Sequence, residues 1–170
     1  MWRVLTITLC LALALGMTAG CKRKTPPLDT NMGDNTAVEQ TSGDGLPEIN
    51  EDMLFEPGSK YGLQTVMFDF DSSSLRPDAM DTLKGNAEKI KQFPNVMIQL
   101  AGHCDERGTQ EYNLALGERR ALAVRNYLIQ LGISGDRLIT ISYGKEFPAV
   151  QGSSEAAWAQ NRRVEFNKAK

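Results

Sequence analysis

A change of hydrophobic period, repeated along residues 63 to 167, restricts the fold of this chain more than any other feature. Leu63 to Phe70 sets Val66, Phe68 and Phe70 two apart, as a strand with one buried face requires, and the run stops at Asp71, Ser72, Ser73 and Ser74. Pro77 suits a first helical turn, and Met80, Leu83, Ala87 and Ile90 follow at helical spacing until Pro94. Val96 to Gly102 hardly alternates, which predicts a strand buried on both faces. From Glu111 to Leu131, the positions of Tyr112, Leu116, Val124, Tyr127, Leu128 and Leu131 predict a longer helix, with Gly132 at its stop. Arg137 to Tyr143 alternates again through Leu138, Ile139 and Ile141. Asn161 to Asn167 reads as a last short strand, after a helical turn at Glu155 to Ala159.

Two helices in this order must cover one face of a sheet that would otherwise lie bare. The expected class is therefore α+β, a two-layer βαβαββ sandwich with the helices packed on a mixed sheet. Periodicity leaves the strand order open. The domain is expected over residues 60–170.

The residues before it obey different physics. Arg3 precedes the apolar run Val4 to Leu15, and small residues then lead through Ala19 and Gly20 to Cys21. Twelve helical residues span about 18 Å, short of the roughly 30 Å hydrocarbon core, so residues 1–20 read as an export signal rather than a membrane span. The Ala19, Gly20, Cys21 ending resembles the bacterial lipoprotein lipobox, with Thr18 in place of the usual Leu. That resemblance implies lipidation at Cys21. Each buried methylene is worth about 0.8 kcal/mol, so several acyl chains would hold the protein on a membrane almost permanently. Lys22 follows the Cys, where an Asp would imply retention at the inner membrane, so the resemblance implies the outer one.

Residues 21–59 are expected to be the lipidated Cys and a disordered tether. They are rich in Pro and Gly, and every charge from Asp29 to Glu56 is acidic. About 37 such residues would span roughly 30–37 Å as a flexible coil and about 120 Å at full stretch. A short helix around Ile49 to Phe55 could pack on the domain. Of the three cysteines, Cys10 leaves with the signal and Cys21 takes lipid, so Cys104 is left without a partner for a disulfide. The net charge of −2, with both signs interleaved, lacks the basic surface that nucleic-acid binding needs.

Charge of both signs gathers in Gly102 to Thr109 and in the helix that follows. Asp105 lies just past the second strand, and Asn113, Gly117 and Arg120 share one helical face. A mid-helix Gly costs roughly 1 kcal/mol against Ala, a loss accounted for by a ligand approaching the backbone or by close packing on the sheet. His103, Cys104, Asp105 and Glu106 contain the groups of a nucleophilic or metal site. In an extended segment, however, His103 and Cys104 point to opposite sides, and one His with one thiol falls short of a closed zinc shell. Neither catalysis nor a cofactor is expected.

Five segments occur in order across residues 64 to 167: Phe68 to Asp71; Gly102 to Gly108; Tyr112 to Asn113 through Gly117 to Ala121; Ser142 to Glu146 with Pro148; and Asn161 to Arg163. Together they resemble the peptidoglycan-associated lipoprotein family, which shares the C-terminal domain of outer membrane protein A. The resemblance implies noncovalent binding of peptidoglycan through the diaminopimelate of its stem peptide. It implies membership of the Tol-Pal system, with TolB as a partner at an overlapping surface, and a role in envelope integrity and cell division. It also implies the site residues: Asp105 for the ligand's ammonium, Arg120 for its carboxylate, Asn113, the backbone around Phe70, Asp71 and Ser72, and Arg163 or Arg162 of the terminal motif. Cys104 stands where relatives carry Ala or Thr.

Plainer roles exist for each of these residues. Asp105 could cap a turn or the second helix, and Arg120 could pair with Glu118, Glu111 or solvent. Arg162 and Arg163 alternate on a strand, so at least one should face solvent or lie along an edge, and Tyr112, Tyr127 and Phe68 suit a core. Lys145 and Glu146 suit an exposed connection. A pure adaptor for other envelope proteins is the alternative function.

Overall fold

The computed structural model describes residues 50–169, so the expected signal, Cys21 and the tether as far as residue 49 lie outside the described residues. The elements follow as β1 (Val66–Met67), α1 (Pro77–Lys91), β2 (Ile98–His103), α2 (Gln110–Gln130), β3 (Leu138–Gly144), α3 (Glu155–Asn161) and β4 (Arg163–Lys168). The architecture is α+β, with a four-stranded mixed sheet in the order β1-β4-β2-β3. β2 and β3 run parallel across α2, while β4 lies antiparallel between β1 and β2. The last strand in sequence thus separates the first two.

Alternation along the strands builds the core. Val66, Ile98, Leu100, Leu138, Val164 and Phe166 meet Leu83, Ala87 and Ile90 of α1 and Val124 and Leu128 of α2, all buried. Two expectations shift in detail. β1 is two residues long rather than eight, although Phe68 keeps the alternation and its N–H still donates to the Arg162 carbonyl at 2.9 Å. The expected turn at 155–159 is a third helix, capped by the Ser154 hydroxyl, which accepts from the Ala157 N–H at 3.3 Å.

β2 is central and buried on both faces, as its lack of alternation predicts. Gly102 lets α2 come down on it. A Cβ at Gly102 would lie 2.0 Å from the Gly117 carbonyl oxygen, and one at Gly117 would lie 2.3 Å from Ser142 Oγ and 2.9 Å from the Gly102 oxygen. The mid-helix glycine therefore serves packing of helix on sheet. At the other end of α2, Gly132 adopts φ +93°, the Ile133 N–H donates to the Leu128 carbonyl at 3.0 Å and the Gly132 N–H to that of Ile129 at 2.9 Å. This pair of bonds is a Schellman stop.

The short helix expected near residues 49–55 forms as a 3-10 turn, Glu51–Leu54, capped by the Asn50 side-chain oxygen, which accepts from the Asp52 N–H at 3.1 Å. Leu54 is fully buried in the core, and its carbonyl accepts from the Leu63 N–H at 2.8 Å. The expected boundary at residue 59 is therefore too late. Leu54, with Phe55, Tyr61 and Leu63 packed against the same core, draws the segment onto the domain.

Candidate functional site

The end of β2, the loop leading to α2 and the first turns of α2 face the loop after β1 across a pocket of about 150 Å3. Four local causes shape it. Thr109 caps α2, its hydroxyl accepting from the Tyr112 N–H at 3.2 Å. Asn113 sends its Nδ2 to the carbonyls of Arg107 at 2.8 Å and Thr109 at 3.1 Å, which fixes the loop against the helix. Lys145 braces the same loop from outside, donating to the Gly108 carbonyl at 2.7 Å. Across the pocket, Asp71 takes φ +51° at the tip of its loop and its carboxylate accepts from the Tyr112 hydroxyl.

Asp105 and Arg120 line this one pocket, together with Asn113, Phe70 and Asp71. Ser72 stands behind the wall, its carbonyl accepting from Arg120 Nε at 2.8 Å. Arg120 is wholly buried. It also donates from Nη1 to the His103 carbonyl at 2.8 Å and to Cys104 Sγ at 3.4 Å, and from Nη2 to the Asp69 carbonyl at 3.0 Å. Neither plain alternative, a partner in Glu118 or in Glu111, applies. Four of its five N–H groups are committed, so it offers a ligand carboxylate one N–H and a positive charge rather than two parallel bonds. Burial pulls the Arg120 pKa down, Arg162 adds to this, and Cys104 and Asp105 oppose it.

Asp105 is almost wholly buried. Desolvation alone would raise its pKa, but hydrogen bonds from the Arg107 side chain and backbone outweigh it and hold the carboxyl below the usual aspartate value. Arg162 Nη1 stands 3.5 Å from Asp105 Oδ2. Burial raises the Cys104 pKa, so its sulfur is a thiol, donating to the Asn113 carbonyl at 3.3 Å.

Arg163 is not part of this pocket. It lies on β4 facing the side of the sheet away from the helices, where its Nε donates to Glu165 at 2.6 Å and its Nη2 to the Phe147 carbonyl at 3.2 Å. Arg162 precedes β4 and turns toward Asp105, so the less favoured arginine of the pair is the one at the site. The expectation that one of them faces solvent or lies along an edge also fails, since both are buried and β4 lies between β1 and β2. His103 and Cys104 do turn to opposite sides, His103 towards Tyr143, Phe147, Arg163 and Glu165. Tyr112 is an exposed pocket wall rather than core, whereas Phe68 is core. Periodicity missed Arg107 and Trp158. A charge two residues after Asp105 signalled the first, and nothing local signalled the second.

Residues 67–162 match the OmpA family. Over 159 residues the chain is 43% identical to the peptidoglycan-associated lipoprotein of Pseudomonas putida, with 93% of each chain covered. It is 42% identical to that of Rhizobium meliloti, with 93% of this chain and 83% of the relative covered. Among solved structures it is similar to the peptidoglycan-associated lipoprotein from Burkholderia pseudomallei, 44% identical at a TM-score of 0.62, covering 68% of this chain and 98% of that one. The C-terminal domain of Helicobacter pylori MotB is 27% identical at a TM-score of 0.60, covering 64% and 86%.

Proposed function

The chain belongs to the OmpA family, and from that premise we propose that it is an outer-membrane lipoprotein that binds peptidoglycan noncovalently through the meso-diaminopimelate of the stem peptide. The observation that carries this reading is the buried pair Asp105 and Arg120 on the walls of one small pocket. The far end of diaminopimelate bears an ammonium and a carboxylate on one carbon. A receptor for it needs an anion and a cation fixed a few ångströms apart in surroundings that weaken neither, and burial supplies those surroundings. Asp105 takes the ammonium, the Arg120 charge faces the carboxylate, Asn113 holds the loop in shape, and Phe70, Asp71 and Tyr112 form the opposite wall. Arg162 replaces Arg163 as the arginine of the terminal motif. No step needs a nucleophile, a cofactor or a metal, because the event is equilibrium binding.

Lipid at Cys21 and the tether that follows complete a mooring between outer membrane and wall. Within the Tol-Pal system, supporting envelope integrity and cell division, TolB would compete for the surface around the pocket. Calorimetry of the full chain in detergent with the tripeptide L-alanyl-γ-D-glutamyl-meso-diaminopimelate tests the site. Asp105→Ala is expected to cost about 2–5 kcal/mol of affinity, and a tripeptide ending in lysine should bind weakly because it brings no second carboxylate. Unchanged affinity in Asp105→Ala would remove Asp105 as the ammonium partner. Release of the chain from sacculi by TolB tests the shared surface, and a ternary complex would refute it.

A further inference from the structure

Asp105 is already occupied from within the chain. Its Oδ1 accepts from Arg107 Nε at 3.1 Å and from the Arg107 backbone N–H at 3.2 Å, and its Oδ2 accepts from Arg107 Nη2 at 2.7 Å. Only 4% of Asp105 is exposed, and Arg107 lines the same pocket beside it. Two rings hold that guanidinium in place, with the Phe70 centroid 3.9 Å and the Trp158 centroid 4.1 Å from Arg107 Cζ. Phe70 belongs to the loop after β1 and lines the pocket with Arg107, whereas Trp158 belongs to α3, so the arginine is clamped between the pocket wall and a helix outside it. A second carboxylate stands on its outer side, exposed Glu155, whose Oε1 accepts from Arg162 Nη2 at 2.9 Å and whose Oε2 is 3.9 Å from Arg107 Nη1.

We propose that Arg107 is a resident competitor for the ammonium subsite, displaced by the ligand's cation and received by Glu155. This rests on the reading of Asp105 as the partner of the diaminopimelate ammonium. A buried carboxylate left bare is costly, and it would recruit water or a proton and lose its aim. A guanidinium bound in the free state keeps it ionised and oriented. The exchange then swaps one cation for another, so the charge around Asp105 stays constant and its desolvation is not repeated. Selectivity follows from the same competition. A ligand bringing only an ammonium replaces Arg107 without net gain, while one that also brings a carboxylate to Arg120 gains a second contact.

Trp158 reports the exchange. The lipidated chain from Cys21 onward carries Trp158 as its single tryptophan, and titration with the same tripeptide is followed by heat and by indole emission. Departure of the stacked guanidinium should change the emission with the midpoint of the heat signal. Arg107→Gln, checked for an unaltered melting curve, leaves Arg162 3.5 Å from Asp105 to keep it ionised, and should bind about five- to tenfold more tightly, since the competent state no longer has to be released from the Arg107 ion pair. It should also lose most of the emission change. Saturating heat with flat emission in the chain that retains Arg107 would overturn the proposal without recourse to any variant, as would equal or weaker binding by Arg107→Gln. Absence of heat altogether would instead refute the diaminopimelate reading, and the exchange with it.

Discussion

At the scale of single residues, three consecutive positions at the end of β2 have unrelated tasks because each points a different way. His103 faces the outer side of the sheet, with no hydrogen-bond partner for either ring nitrogen. Burial and then the Arg163 charge push its pKa down to about 4, against the pull of Glu165 and the Phe147 carbonyl. Its ordinary value is 6.5, so below that pH the unfolded chain binds a proton that the folded chain refuses. Stability is therefore complete above about pH 6.5 and drains away as pH falls towards 4, by up to about 3 kcal/mol. Urea unfolding between pH 7 and pH 4 should show this slope, and His103→Gln should flatten it. Asp105 shifts the same way for a different reason, its hydrogen-bond partners rather than burial. Its carboxyl pKa is depressed, so its charge, and with it tripeptide affinity, should hold from pH 7 to below about 4, where an unperturbed aspartate would already be protonated. Loss of affinity between pH 6 and pH 5 would contradict that assignment. The Asp105 motif was legible in the sequence, whereas the isolation of His103 was not. Burial of a lone imidazole depends on Tyr143, Phe147, Arg163 and Glu165, which come from other parts of the chain.

Helices and strands were legible wherever the hydrophobic period was long enough to count. α1, α2, β2 and β3 lie where their patterns put them, because each has a buried face to repeat. β1 was overestimated, since its apolar alternation continues into residues that pack without regular pairing. The task of the glycine at 117 could not be decided from spacing, which allows ligand approach and helix packing equally. Its neighbours decide it: a methyl group there would press on Ser142 and on the backbone of Gly102. Gly117→Ala should cost about 1–3 kcal/mol in thermal unfolding through overpacking, partly offset by better helix propensity. Gly102→Ala should cost more, because the atom it meets at 2.0 Å belongs to the backbone of α2 and no side chain can yield. Equal stability of Gly117→Ala and the unaltered chain would show that α2 can ride up on the sheet.

For the whole molecule, the limits of the folded unit carry their own prediction. Composition alone placed the start of the domain after the acidic, Pro- and Gly-rich stretch, yet Leu54 is part of the core. Leu54→Ala should destabilise by about 2–5 kcal/mol, and a chain starting at residue 60 should melt below one starting at residue 50. Matching melting temperatures would return those ten residues to the tether. The sequence by itself determined the class of fold, the order of its elements and the family, because hydrophobic period and ordered motifs are properties of neighbouring residues. Tertiary structure decided the insertion of β4 between β1 and β2, which of two adjacent arginines reaches Asp105, and the stacking of Arg107 between Phe70 and Trp158. Those arrangements depend on contacts between residues dozens of positions apart, and spacing along a chain carries no record of distance across a fold.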